Sequence, residues 1–328
     1  MNKLIKKIQN FAFQQNLWSK NDKIIVGVSG GPDSVCLLDM FTKIASKYNL
    51  ELRVAHINYG IRKKDANRDE EITRTLSEKY ELELDVLRFK TDKFTDSKNL
   101  ENKLRDIRYT FFNKLKKEHG FDLIAVAHNQ DDQAETILMR LLRGSGLQGL
   151  SAIQPKNNDI IRPLLETSRQ EIISYVTEEK IEYGIDITNK DTKFLRNKIR
   201  HNLIPYLEKN YNPKAKEVLS RSASSIATDY DFIEKSCQKK ISKIIKINSK
   251  TKSISFSVAD FEKLPTALQK QGLRIIITKL KKNIKDIETA NINEIIKIIK
   301  STKKKNQILN FKGLKLERKN DKVSMIKV

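Results

Sequence analysis

Two rhythms of apolar and polar positions alternate through the first half of the chain. Residues 24–28, Ile-Ile-Val-Gly-Val, are a short apolar run of the buried-strand kind, whereas 34–48 carries its apolar residues at helical spacing. The alternation continues with strands at 52–58, 84–89 and 122–128 and helices at 67–80, 100–117 and 131–143. A glycine-punctuated loop covers 143–155, and 160–165 reads as an edge strand. Ser168-Arg169-Gln170-Glu171 has the spacing of a capping box and predicts a further helix. Strands separated by helices predict an α/β fold, a doubly wound parallel sheet with its ligand crevice at the strand C-terminal ends.

Beyond Asn212-Pro213 the rhythm changes. Lys- and Ile-rich helical patterns cover 213–247, 260–280 and 286–301. Alternating segments at 307–311 and 314–318, split by Lys312-Gly313, and a last one at 323–328 resemble a small hairpin. The expected organisation is a domain over 1–212 and a basic, mostly helical accessory domain over 213–328, as suits a chain of 328 residues.

Charge sharpens this picture. Lys and Arg number 64 against 41 Asp and Glu, a formal +23. Solvated helix faces in a Lys-rich protein would explain it, and so would a polyanionic partner such as a nucleic acid. Composition alone leaves both open. Cys36 and Cys237 are the only cysteines, which excludes a disulfide framework and a Cys-x-x-Cys pair. The N-terminal residues lack the continuous apolar core of a signal peptide, and no later stretch reaches transmembrane length. The expectation is a cytoplasmic protein with no membrane partner.

The junction after the first strand poses a chemical choice. Gly27-Val28-Ser29-Gly30-Gly31 satisfies G-x-S-x-G, the turn that carries a hydrolase serine. Its placement is wrong for that role, because several strands precede the nucleophile in such hydrolases and here only a short helix precedes the first. G-x-G-x-x-G and G-x-x-x-x-G-K-[ST] are both absent, and the second strand ends in Ala55-His56-Ile57-Asn58 with no acid for a ribose. What remains is Ser29-Gly30-Gly31-Pro32-Asp33-Ser34. Two glycines let backbone amides approach an anion, two hydroxyls add donors, and the helix end adds partial positive charge. Asp33 would repel phosphate unless a Mg²⁺ lay between them. The plainer alternative is a tight turn with Asp33 as helix-dipole partner.

This hexapeptide resembles the pyrophosphate loop (PP-loop) of the ATP pyrophosphatase superfamily, whose members split ATP between the α- and β-phosphates and adenylate a carbonyl oxygen. Further stretches at 55–70, 104–109, 127–150, 161–165 and 186–200 occur in order, and together they resemble the tRNA(Ile)-lysidine synthase family over nearly all of residues 20–210. The resemblance implies ATP-dependent attachment of L-lysine to C2 of the wobble cytidine of tRNA(Ile) with a CAU anticodon, with ATP and Mg²⁺ as cofactors. It implies nucleotide binding by Ser29, Gly30, Gly31, Pro32, Asp33, Ser34, His56 and Arg105, with Asp33 as metal ligand. Arg108 would contact the activated nucleotide, while His128, Asp132 and Glu135 would receive lysine. Arg143, Arg196, Lys198 and Arg200 would touch tRNA or close the site, with Asp186 and Asn189 in the same pattern.

Most of these residues also have a plainer explanation. Arg105 and Arg108 taken singly are ordinary helix charges, Asp131 and Asp132 suit a helix N-terminus, and a lone His56 more often packs. Three positions depart from the family pattern: Tyr59 stands where histidine is usual, Thr188 where serine is usual, and Lys198 where arginine is common. The chain is expected to end after one accessory domain where longer members carry a second. A cytidine-thiolating relative would need cysteine pairs or an iron–sulfur cluster. A non-catalytic RNA-binding protein on this fold is the other alternative, and the sequence does not choose between a monomer and a homodimer.

Overall fold

The structure, a computed structural model, describes residues 2–60, 63–89, 100–184, 195–281, 286–302 and 306–328. Asp186, Thr188 and Asn189 lie outside the described residues. The chain divides into two compact units, Met1–Ala227 and Thr228–Val328.

The first unit opens with α1 (Lys3–Gln14) and then alternates β1 (Lys23–Gly27), α2 (Pro32–Tyr48), β2 (Glu51–Asn58), α3 (Lys63–Lys79), β3 (Leu84–Arg88), α4 (Leu100–Glu118), β4 (Leu123–Ala125) and α5 (Gln130–Leu142). The short helix α6 (Leu147–Leu150) and strands β5 (Lys156–Asn157) and β6 (Ile160–Ile161) lead into α7 (Arg169–Glu178). After α8 (Leu195–Lys198) come a π-helical turn (Ile199–Leu203) and α9 (Ile204–Asn210). Pro205 explains the turn: it has no N–H for the carbonyl four residues back and its ring crowds that carbonyl, so the helix widens there.

Strand order is β3-β2-β1-β4-β6-β5, parallel except for β5. Alternation along β1 sends Ile24 and Val26 into the core beneath α1, α2 and α7, and Ile25 into a second core with Phe112 and Leu115 of α4. Both faces are thus covered, which a parallel sheet requires. The chain steps outward from β1 to β2 and β3, then returns to lay β4 on the other side of β1. That reversal opens a crevice at the C-terminal ends of β1 and β4.

Helix α10 (Ala215–Ile244) carries the chain from the first unit into the second. The compact units meet at 227/228, within α10, whose Ala223 belongs to a buried cluster with Ile137 and Ala152. The second unit has α11 (Val258–Glu262), α12 (Thr266–Leu280) and α13 (Thr289–Ile299) against a five-stranded antiparallel sheet. The three terminal segments form β9 (Gln307–Phe311), β10 (Leu314–Lys319) and β11 (Lys322–Lys327), extended by β7 (Lys246–Asn248) and β8 (Ser253–Ser257) in the order β7-β8-β11-β10-β9. Its core, from Phe261 and Leu273 to Ile295 and Leu316, is separate from those of the first unit. No helix among the described residues is long and apolar enough to cross a membrane.

Candidate nucleotide and amine site

Residues Ser29 to Ser34 form the link between β1 and α2. Gly30 is left-handed, φ +85°, and a Cβ there would lie 2.7–2.9 Å from the Cβ, Cα and carbonyl of Asp69, so only glycine fits. Gly31 has an ordinary φ of −77° and serves as N-cap of α2 without a capping side chain. Pro32 follows at the first helical position, where its missing N–H is harmless. The backbone N–H of Ser29 donates to Ser34 Oγ at 3.0 Å, the two hydroxyl oxygens stand 3.2 Å apart, and Ser34 donates to the Gly31 carbonyl at 2.8 Å. Among the described residues the Ser29 hydroxyl therefore meets another hydroxyl and no imidazole, which removes the base a serine nucleophile needs.

The N-termini of α2 and α5 meet at this link, and the side chain of Arg169 reaches it from α7. Asp33 lies in the first turn of α2; its Oδ1 accepts a hydrogen bond from Asn129 Nδ2 at 3.0 Å, and its Oδ2 pairs with the guanidinium of Arg169. Asn129 caps α5 by a reciprocal box, its Oδ1 accepting from the Asp132 N–H and Asp132 Oδ2 accepting from the Asn129 N–H, each at 3.0 Å. Arg169 opens α7, whose N-cap Ser168 forms the predicted box with Glu171, and the Arg169 N–H donates to Asp131 Oδ1 at 3.1 Å. The ends of α2 and α5 carry partial positive charge, so both favour an anion here.

A cavity of about 580 Å³ starts at this loop and runs past Ala55 and Ile57 of β2, Arg108 of α4 and His128 to Asp132, Arg196 and Arg200. Glu135 lies one turn further along α5 from Asp132 and is only 1% exposed. Arg196 donates through Nε to Glu135 Oε2 at 2.7 Å and through Nη2 to Asp132 Oδ1 at 2.6 Å. Arg200 forks onto both oxygens of Glu135, with Nη2 3.0 Å from Oε2. Between the two arginines Ile199 is buried against Ala134 and Leu138 of α5, which turns both guanidiniums toward the acids. Lys198 faces solvent. Asp132 is thus both helix cap and ion-pair acid, and the two explanations of that residue are compatible.

Arg108 and Arg105 part company. Arg108 borders the cavity and donates through Nε to the Tyr59 hydroxyl at 3.1 Å; Tyr59 in turn donates to the Leu104 carbonyl at 3.2 Å. The departure at position 59 therefore has a local function, holding Arg108. Arg105 turns aside onto the ring of Tyr109, 5.2 Å from its centroid, and does not line the cavity. Arg143, the C-cap of α5, is exposed and outside the cavity as well.

The two histidines also differ. His128 borders the cavity, and its buried Nδ1 has no hydrogen-bond partner among the described residues. Burial first, then the charges of Arg162, Arg196, Arg105 and Arg108, push its pKa well below the ordinary range, so the ring is neutral. His56 sits on the opposite side of β2 from Ala55 and Ile57. Its Nδ1 lies 2.9 Å from the Val28 carbonyl, and Thr73 of α3 packs on it. It does not line the cavity; it anchors the residue before Ser29. Burial lowers its pKa too.

The sequence assigned no role to three other residues at the site, Asn129, Arg169 and Asn197, although the first and last fall within the family-like stretches. Arg169 was legible only as part of a capping box, and Asn129 only as the residue before a helix. As for a metal, no cluster of three metal-ligating side chains exists among the described residues. Asp33, one carboxylate beside the two hydroxyls of Ser29 and Ser34 on the same cavity, nonetheless fits Mg²⁺, which is commonly held by one or two carboxylates, ligand phosphates and water.

The family model described as a PP-loop domain matches residues 1–207. A tRNA(Ile)-lysidine synthase of Clostridium tetani is 36% identical over 302 residues, 91% of this chain and 64% of that protein. One from Clostridium perfringens is 35% identical over 348 residues, 97% of this chain and 74% of its own length. The chain thus spans slightly less than two thirds of the Clostridium tetani protein and about three quarters of the other. Among solved structures, the U34-tRNA thiolase NcsA from Methanococcus maripaludis, with its 4Fe–4S cluster, shares the fold. Its TM-score is 0.55 at 21% identity, over 68% of this chain and 78% of that one.

Proposed function

The chain belongs to the PP-loop domain family and, within it, to the tRNA(Ile)-lysidine synthases, and from that membership we propose that it joins L-lysine to C2 of the wobble cytidine of tRNA(Ile) with a CAU anticodon, driven by ATP. One observation supports this reading above the rest. A single cavity leads from the hydroxyl loop at Ser29–Ser34 to Asp132 and the two arginines held by Glu135, so an anion cradle and a cation-binding acid pair share one space.

In the first step cytidine O2 attacks the α-phosphate and the bond to the β-phosphate breaks. The negative charge of the departing pyrophosphate falls on the Gly30–Gly31 backbone, the Ser29 and Ser34 hydroxyls and the ends of α2 and α5. A Mg²⁺ ion at Asp33 would neutralise part of that charge. Arg108, oriented by Tyr59, faces the same cavity and suits the α-phosphate.

In the second step the lysine ε-amine attacks C2 and AMP leaves. The ammonium enters by competing with Arg196 and Arg200 for Glu135 and Asp132, then sheds a proton before attack. His128, held neutral, is able to relay that proton without retaining it. The basic second unit would grip tRNA through its phosphates.

Cytidine thiolation, the neighbouring reading, is less well served. Cys36 and Cys237 are buried, and burial pushes their thiols up to about 12 and about 11, the reverse of what a sulfur-handling thiolate needs.

The test is incubation of the full chain with ATP, Mg²⁺, labelled lysine and isoleucine tRNAs, followed by nucleoside mass analysis. Lysidine should form only on the CAU tRNA, and Asp33→Ala should abolish the adenylated intermediate. Pyrophosphate release that does not depend on tRNA, or sulfur in the modified base, would overturn the reading.

A further inference from the structure

We propose that Arg169 is an exchange arm, one that pairs with Asp33 and becomes a ligand of the β- and γ-phosphates when Mg²⁺ and ATP bind. The inference rests on the nucleotide reading above and adds to it a residue that neither the sequence motifs nor the cavity lining identified.

Both Asp33 oxygens are engaged, one by the Asn129 amide and one by the Arg169 guanidinium. A divalent cation on Asp33 competes with the guanidinium for the carboxylate's charge, and repulsion between two cations on one carboxylate favours the guanidinium's departure. Among the described residues Asp33 is the only carboxylate the Arg169 side chain meets, so displacement leaves it unpaired. Arg200 lies close enough for its charge to disfavour the Arg169 cation, as burial already does. An arriving anion is what the freed group requires.

The backbone of Arg169 is held while its side chain is free to swing. The capping box of α7 and the hydrogen bond to Asp131 fix the main chain. The side chain is 42% exposed and borders a separate cavity of about 960 Å³, which gives it room to move. Its reach already extends to Asp33, on the first turn of the helix that begins at the hydroxyl loop. Phosphates bound in that loop would lie within the side chain's reach when Asp33 changes partner. The forked guanidinium suits two phosphate oxygens at once.

The experiment uses the full chain with neither tRNA nor lysine, comparing wild type, Arg169→Gln and Arg169→Lys. Mn²⁺ binding without nucleotide is followed by electron paramagnetic resonance, and Mg²⁺–pyrophosphate binding by calorimetry. Arg169→Gln should bind Mn²⁺ more tightly, since its competitor is gone, and pyrophosphate about tenfold or more weakly. Arg169→Lys should fall between on both. Unchanged affinity for either probe in Arg169→Gln, at a melting temperature near wild type, overturns the exchange. If Arg169→Gln fails to fold, Arg169→Lys decides: wild-type values on both probes overturn the proposal. Wild-type protein that binds no pyrophosphate would instead bring down the nucleotide reading itself, and this inference with it.

Discussion

Gly30 and Gly31 are adjacent, yet the structure predicts opposite consequences for replacing them with alanine. At Gly30 the added methyl meets a left-handed backbone, at about 1–2 kcal/mol, and a contact under 3 Å with the Asp69 main chain, which cannot retreat as a side-chain tip would. Overpacking of that kind adds about 1–3 kcal/mol, for a total of about 2–5 kcal/mol. In a unit of this size that lowers the melting temperature by roughly 5–20 °C. At Gly31 the nearest atom to an added Cβ is Ser29 Oγ at 3.7 Å, and the backbone is already in a region open to any residue. Loss of chain entropy in the unfolded state stabilises by about 0.4–1 kcal/mol, and a poorer N-cap costs about as much, so Gly31→Ala should melt within about 1 kcal/mol of wild type. Its methyl, however, would stand beside the cavity-lining Ser29 hydroxyl and is expected to narrow the approach to the loop's anion donors. One displaced charge-assisted hydrogen bond costs about 1.5–3 kcal/mol, a roughly 10- to 150-fold weaker affinity for Mg²⁺–ATP. Scanning fluorimetry and calorimetric ATP titration on both variants make the test. Wild-type ATP affinity in Gly31→Ala would refute the anion cradle, and a wild-type melting temperature in Gly30→Ala would refute the steric account of the loop.

Glu135→Gln removes the charge between Arg196 and Arg200. Those arginines are 25% and 32% exposed, so water relieves part of the loss and the stability cost stays near 1–3 kcal/mol. The lysine KM should rise about 10- to 100-fold while adenylation changes little, measured by labelled-lysine incorporation against adenylated-tRNA yield; equal losses in both would place Glu135 outside the amine site. Tyr59→Phe keeps the ring but frees Arg108, and adenylation should slow about 3- to 10-fold with lysine KM unmoved. Acid stability follows from the buried histidines. Because the native pKa of His56 lies below its unfolded value near 6.5, the unfolded chain takes up the proton first, and stability falls as pH drops below about 6.5. Melting curves of His56→Asn should lose less between pH 7 and pH 5 than wild type. Glu70 does not confuse that window: burial raises its carboxyl, but Arg88, Asn58 and Arg74 outweigh it and hold it at about 2, so its contribution fades only below its ordinary value of 4.5.

Local rules settled a large share of this protein. Hydrophobic period determined the strands and helices of the first unit, because backbone geometry repeats every two or 3.6 residues whatever surrounds it. Gly30, Pro32 and the hydroxyls of Ser29 and Ser34 announced an anion loop for equally local reasons, since a turn's φ and a helix end are written in adjacent residues. The same rule reaches its limit at β8. The alternation Ser253-Ile254-Ser255-Phe256-Ser257 becomes a strand only because β11 and β7 pair with it. Tertiary packing alone decided how the side chains meet. Asp33 and Arg169 are 136 positions apart, and Glu135 and Arg200 are 65 apart. Nothing within either neighbourhood encodes the other. The sequence could name acids and arginines but not their pairing, because an ion pair forms where folding brings two chain segments within hydrogen-bond reach, and periodicity carries no information about that distance. The separation of Arg108 from Arg105 and the turning of His56 away from the cavity arose the same way, from which neighbour each side chain met once the helices had docked on the sheet.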